Sequence, residues 1–201
     1  MSVKEKLLEA FSVYWDEMEK CRTHKTYWAL LHVTVCLPDI CAALESPTGG
    51  TDQGKYKSWC DTYWSHAMLT GNERKILRNK VLHQGRATTD APGRYEGFAF
   101  TQPAPDGSSE HMRTYPIPTG GTGLVIDVDE LAKEARQAVE RWALDLESNA
   151  PSDRAVNAVK NLSALVRVRS ISYPSPMSLH GPDGKGRWFQ VQNVSTTSRT
   201  S

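Results

Sequence analysis

The sequence predicts a mainly α-helical protein: an antiparallel helical bundle with a small β-hairpin insertion and a C-terminal extension. Three observations carry this. Apolar residues recur at three- and four-residue spacings through most of the first 84 positions, and again from about 129 to 147. The connections between these stretches are short and rich in Gly, Pro, Ser and Thr. Only the segment 87–123 changes character, with spaced aromatics broken by Gly and Pro. Residues 1–147 then form one helical domain, with 87–123 as a loop and hairpin inside it. Residues 148–201 form a partly irregular extension.

Each element has a local reason. Ser2-Val3-Lys4-Glu5 is a capping box, and Leu7, Leu8, Phe11, Tyr14, Trp15 and Met18 follow at helical spacing, giving a helix from about 3 to 22. A second runs from about 25 to 45 through Trp28, Leu31, Val35, Ile40 and Leu44, with a kink expected at Pro38. Residues 46–51 are a loop. A third helix covers about 52 to 69, with Tyr56, Trp59, Cys60, Tyr63, Trp64 and Met68. A short fourth helix begins at Thr70 or Asn72, has Glu73 in its first turn and stops at Gly85. Tyr95, Phe98 and Phe100 suggest a strand, and 111–117 its return partner in the hairpin. Thr119 to Gly123 is a glycine-rich connection. Leu124-Val125-Ile126 leads into a helix capped at Asp127, running to Glu147 with Leu131, Ala135, Ala138, Val139, Trp142 and Leu146 as its stripe. Residues 152–162 form one more short helix, 165–171 alternate like a strand, and the chain from Pro174 is a weakly ordered extension whose sticky patch is Trp188-Phe189-Gln190-Val191.

Composition excludes more than it identifies. Lys plus Arg is 24 against 23 for Asp plus Glu, so no global charge points to nucleic acid or membrane. The balance is local: between Glu73 and Arg94 six basic residues face two acidic ones, which creates positive potential for phosphates or a solvated basic face. Cys21, Cys36, Cys41 and Cys60 lack zinc-type spacing and read as reduced core thiols of a cytoplasmic protein. The N-terminus does not read as a signal peptide, and the apolar run 27–38 is too short to span a bilayer. Five of the six Trp fall in predicted helices, where core packing is the expected role.

The candidate site is the fourth helix, Leu77-Arg78-Asn79-Lys80-Val81-Leu82-His83-Gln84-Gly85-Arg86. On a wheel with Ile76 at zero, Leu77, Val81 and Leu82 fall near about 100°, 140° and 240°, and Arg78 near 200°, inside the apolar arc. An arginine there needs an anion or carboxylate partner. An Arg followed by a His at this spacing occurs by chance roughly 0.4 times in a chain of this composition, so context decides its meaning.

Helices followed by Arg78-Asn79-x-x-x-His83 on a late helix resemble the HEPN superfamily, whose mark is an arginine, a polar neighbour and a histidine after four to six positions. The resemblance covers roughly residues 1–147. It implies a metal-independent endoribonuclease of a prokaryotic toxin–antitoxin or antiviral defence setting, without cofactor. RNA is the substrate and a homodimer brings two motifs together, with an antitoxin or defence-system protein as a further partner. Carried onto these positions, Arg78, Asn79 and His83 are catalytic, and Lys75, Lys80 and Arg86 bind substrate. Imidazole titrates near neutrality and suits proton transfer, while a guanidinium matches phosphate oxygens. The alternative is a non-catalytic HEPN-like module that binds RNA, a nucleotide or a protein.

Structural roles compete for the same residues. His83 could merely favour a helix C-terminus, Asn79 could be a surface amide, and Arg78 could pair with Asp39, Asp61 or Glu45 across the bundle. His32 with Cys36 suits a core pair better than a metal site, His66 is an auxiliary polar candidate, and Arg187-Trp188-Phe189 could stack on bases.

Overall fold

The computed structural model describes residues 1–84, 93–118 and 120–165, without the side chains of 83 and 84. The mainly helical reading holds. Within the described residues six α-helices surround a shared core, and a three-stranded sheet lies beside them.

The first helix, α1 (Val3–Thr23), starts at the expected box: Ser2 Oγ accepts from the Glu5 N–H, and the Glu5 carboxylate accepts from the Ser2 N–H at 2.8 Å. The next, α2 (Tyr27–Glu45), is delayed by Lys25, which turns the chain with φ 56°. It continues through Pro38 without ending. Leu30, Leu31, Val35, Leu37, Cys41 and Leu44 are all buried along it. By length and composition alone α2 could cross a membrane; it is the central helix of the bundle, packed by α1 and by every later helix described below.

The third helix, α3 (Gln53–Tyr63), is shorter than the expected 52–69. Apolar spacing continues to Met68, but tertiary partners override it at Trp64. There the Trp64 carbonyl accepts from Arg74 Nε and its indole N–H donates to Glu134. The fourth, α4 (Gly71–Gln84), follows after the turn at 64–70. A Cβ on Gly71 would sit 2.4 Å from the Lys57 carbonyl oxygen, so α3 and α4 meet at a glycine.

The β region requires a correction. The two aromatic-bearing segments do not pair with each other. Strand β1 (Gly97–Thr101) runs parallel to β3 (Thr122–Asp127), and β2 (Arg113–Pro116) runs antiparallel to it, giving the order β1-β3-β2. The central strand is the stretch read as a lead-in to a helix. Leu124 and Ile126 are fully buried, which is what a central strand requires. The glycine-rich 119–123 segment is also more than a connection, because Thr122 and Gly123 belong to β3. A Cβ on Gly123 would collide with the Tyr115 ring.

Asp127 ends β3 and caps α5 (Val128–Ser148), its carboxylate accepting from the Asp129 and Glu130 N–H groups. The expected stripe from Leu131 to Leu146 is buried. A last helix, α6 (Asp153–Asn161), is followed by a 3₁₀ turn at Leu162–Ala164. The Asn161 amide clasps the carbonyls of Leu44 and Ser46 at the end of α2, so α6 belongs to the bundle. One compact unit spans Met1–Val166 and includes this helix, which the sequence reading placed in the extension. The strand expected at 165–171 and the extension from Pro174 fall, but for Leu165, outside the described residues.

Candidate functional site

The buried arc of α4 is set by Ile76, Leu77, Val81 and, unexpectedly, Glu73, Arg74 and Lys80. Leu82 is only partly covered. The arc therefore runs from Ile76 at zero to Arg74 at about 160° and leaves Leu82 out, and Arg78, at about 200°, stands at its edge rather than inside it. The Arg78 side chain keeps 23% exposure.

At that edge Arg78 has a defined partner. Its Nε donates to Asp39 Oδ2 at 2.8 Å, its Nη2 pairs with the same oxygen at 2.7 Å, and its Nη1 donates to Asn79 Oδ1 at 2.8 Å. Of the three carboxylates weighed as partners, Asp39 takes the arginine. Asp61 instead accepts from the Gly71 N–H, and Glu45 accepts from Arg154 and Trp142. Arg78 also lies 5.8 Å from the Tyr56 ring centroid. A cleft of about 190 Å³ opens here, walled by Asp39, Thr51, Gln53, Tyr56, Lys75 and Arg78. Asp52 also lines it and caps α3 by accepting from the Lys55 N–H. Among the described residues two cations and two carboxylates thus line the cleft.

Arg78, Asn79 and Lys75 therefore come together. Lys80 does not join them as an exposed phosphate contact: it is 8% exposed and sits on the buried arc, one helical turn from Ile76. The side chain of His83 and all of Arg86 lie outside the described residues, and His83 falls on the last turn of α4. The auxiliary histidines are used locally. His66 Nδ1 accepts from the Met68 N–H, and His32 Nδ1 bonds the Trp28 carbonyl at 2.7 Å. Among the described residues no three His, Cys, Asp or Glu side chains converge as metal ligands.

The sequence reading missed Arg74. It is 1% exposed, lies 3.8 Å from the Trp64 ring centroid, donates from Nε to the Trp64 carbonyl at 3.0 Å, and reaches Glu134 from Nη2 at 3.5 Å. Burial lowers its pKa, against the pull of its neighbours. Glu134 also accepts from the Trp64 indole at 3.1 Å and pairs with His111 Nε2 at 3.2 Å. His111 Nδ1 accepts from the Asp127 N–H, which leaves the proton on Nε2 for Glu134. Burial raises the Glu134 carboxyl, but the His111 hydrogen bond, the Arg74 charge and the Trp64 indole outweigh it and leave the group below its ordinary range. The signal was available: Arg74 falls near about 160° on the wheel, closer to Leu77 and Val81 than Arg78 does.

No protein-family model, curated protein or solved structure matches this chain. The chemistry of the cleft is the guide to function.

Proposed function

We propose that the protein is a HEPN-type, metal-independent endoribonuclease, acting in the cytoplasm of a prokaryote in a toxin–antitoxin or antiviral defence role. The observation that supports this reading is the Arg78 arrangement. The motif arginine and its polar neighbour are hydrogen-bonded to each other, and Asp39 aims the guanidinium at the rim of a cleft shared with Lys75.

The chemistry uses the RNA itself. A base takes the proton of a 2′-hydroxyl, and that oxygen attacks the adjacent phosphorus. The 5′-oxygen leaves with a proton from an acid, giving a 2′,3′-cyclic phosphate and a free 5′-hydroxyl. His83 supplies proton transfer, and Arg78 stabilises the charge that builds on the phosphoryl oxygens. DNA lacks the nucleophile and is not cut. Arg78 and His83 are five residues apart, about 140° around one helix, so a compact site needs a second copy of α4. A homodimer with one histidine as base and the other as acid meets that need. The test is RNA cleavage in EDTA by the wild type, Arg78→Ala and His83→Ala, with product ends identified.

One observation favours a second reading. Asp39 takes both Nε and Nη2 of Arg78 and balances its charge inside the bundle. A non-catalytic module that binds RNA, a nucleotide or a protein would keep such a pair as structure. It would bind RNA with steep salt dependence and leave the strand intact.

A further inference from the structure

Trp28 does not do what its position in an apolar helix leads one to expect. It sits on the first turn of α2, yet 51% of it is exposed. Its attitude is nevertheless fixed. The His32 ring meets it edge-on at 4.6 Å between centroids and 70° between planes, and His32 Nδ1 is bonded to the Trp28 carbonyl at 2.7 Å. A large ring left half in water forfeits much of its burial free energy. Buttressed by His32 in that state, it is a platform.

The platform borders a groove of about 490 Å³, formed with Tyr27, Leu31, Phe100, Thr101 and Gln102. That volume lies within the range of sites that hold small organic groups. The lining is mostly aromatic and apolar, and its polar residues are the neighbours Thr101 and Gln102. Thr101 Oγ1 is buried and has no hydrogen-bond partner among the described residues. A buried hydroxyl without a partner is unfavourable; it is closed to water as it stands, and a turn about χ1 toward the groove would let a ligand with a polar edge satisfy it. The exposed Gln102 amide beside it offers one acceptor and two donor hydrogens.

Position ties the groove to the Arg78 cleft. Trp28 and Asp39 are eleven residues apart on α2. At 1.5 Å and 100° per residue they lie about 16 Å apart along the axis and only about 20° apart around it. Both therefore face the same side of the central helix. Lys25, exposed two residues before Tyr27, adds a cation just ahead of the start of α2.

We infer that this groove is a nucleobase subsite for single-stranded RNA, with the base stacked on Trp28 and its polar edge read by Thr101 and Gln102. The inference rests on RNA being the ligand of the Arg78 cleft, and extends that reading to a second contact along the strand. A nucleobase suits the lining because it is planar, stacks on any aromatic face and carries donors and acceptors on its rim. An apolar side chain of a protein partner would fill the walls but leave the Thr101 hydroxyl unpaired.

The test measures fluorescence anisotropy of a labelled short 2′-O-methyl RNA strand, which cannot be cleaved through its 2′-oxygen, and of an abasic strand of equal length. Proteins are the wild type, Trp28→Ala, Trp28→Phe, Thr101→Val and Arg78→Ala, each checked by thermal melting. Trp28→Ala weakens binding of the base-bearing strand about tenfold, in line with the loss of one stacked base, while Trp28→Phe keeps most of the affinity. Thr101→Val, which removes the hydroxyl at nearly constant shape, weakens the same strand severalfold. The abasic strand is insensitive to all three changes. Unchanged affinity in Trp28→Ala and Thr101→Val, with a loss in Arg78→Ala, overturns the subsite and leaves RNA binding at the Arg78 cleft standing. Failure of the wild type to bind either strand overturns both.

Discussion

Arg78 Nε and Nη2 converge on a single oxygen of Asp39, at 2.8 and 2.7 Å, and Asp39 is the residue after Pro38 in α2. The pair locks the candidate helix to the central helix of the bundle. Asp39→Ala takes away the carboxylate that anchors a mostly buried guanidinium. The loss should be about 1–3 kcal/mol, toward the lower end because both side chains keep some contact with water. Arg78→Ala with Asp39→Ala should cost less than the sum of the single changes, since each single change already removes the whole contact between the two charges. Urea unfolding of the four proteins measures this. Strict additivity would show that the pair carries no coupling.

Glu134 makes the bundle sensitive to acid. Its folded pKa lies below the ordinary carboxyl value, so the unfolded chain binds more protons once pH falls below that value. The stability it contributes is complete above about pH 4.5 and is lost as pH drops through the folded value. Melting temperatures from roughly pH 6 down to 3 should fall less steeply in Glu134→Gln than in the wild type. Parallel curves would count against the Arg74–Glu134–His111 network as the cause.

The four cysteines should differ in reactivity. Burial pushes the Cys41 thiol well up, and it pushes Cys60 to about 12, so neither presents thiolate near neutral pH. Cys36 is partly exposed and raised less far, again by burial, with Arg78 pulling it back. Pulse alkylation of the native protein followed by mass spectrometry should label Cys36 first, with Cys41 and Cys60 labelled only on unfolding. Early labelling of Cys60 would mean that α3 opens locally.

Gly71 is a steric requirement. Its missing Cβ would lie 2.4 Å from the Lys57 carbonyl oxygen and 2.7 Å from Asp61 Oδ1. Gly71→Ala should therefore destabilise by about 1–3 kcal/mol, although alanine is the better helix former. A neutral effect in chemical denaturation would show that α3 and α4 can separate without penalty.

The helices were legible because their signals are local. Ser2 and Glu5 write the first cap, Asp127 the fifth, and the stripe from Leu131 to Leu146 needs no knowledge of its partners. The sheet was not legible in the same way. Pairing of Gly97–Thr101 with Thr122–Asp127 is parallel and crosses about twenty residues, and no spacing rule picks that partner over the nearer Arg113–Pro116. The end of α3 was hidden for a similar reason: Trp64 breaks the helix to meet Arg74 on the next helix and Glu134, seventy residues on. In the candidate site, the need of Arg78 for a carboxylate was visible from its neighbours, and Asp39 was among three named. Choosing Asp39 required the fold, because Asp61 and Glu45 are satisfied elsewhere. The burial of Lys80 and Arg74 was obscured by counting Leu82 as core, which turned the wheel toward Arg78.

The most direct measurement is cleavage of an end-labelled single-stranded RNA in excess EDTA by the wild type, Arg78→Ala and His83→Ala, all shown to be folded and of the same oligomeric state. The ribonuclease account predicts cutting by the wild type with 2′,3′-cyclic phosphate ends, and a loss of at least about a hundredfold in each variant. A mixture of the two inactive variants should stay inactive, because a mixed dimer keeps one His83 and the reaction uses two, one as base and one as acid. Equal cutting by all three proteins, or RNA bound but left intact by the wild type, would contradict it.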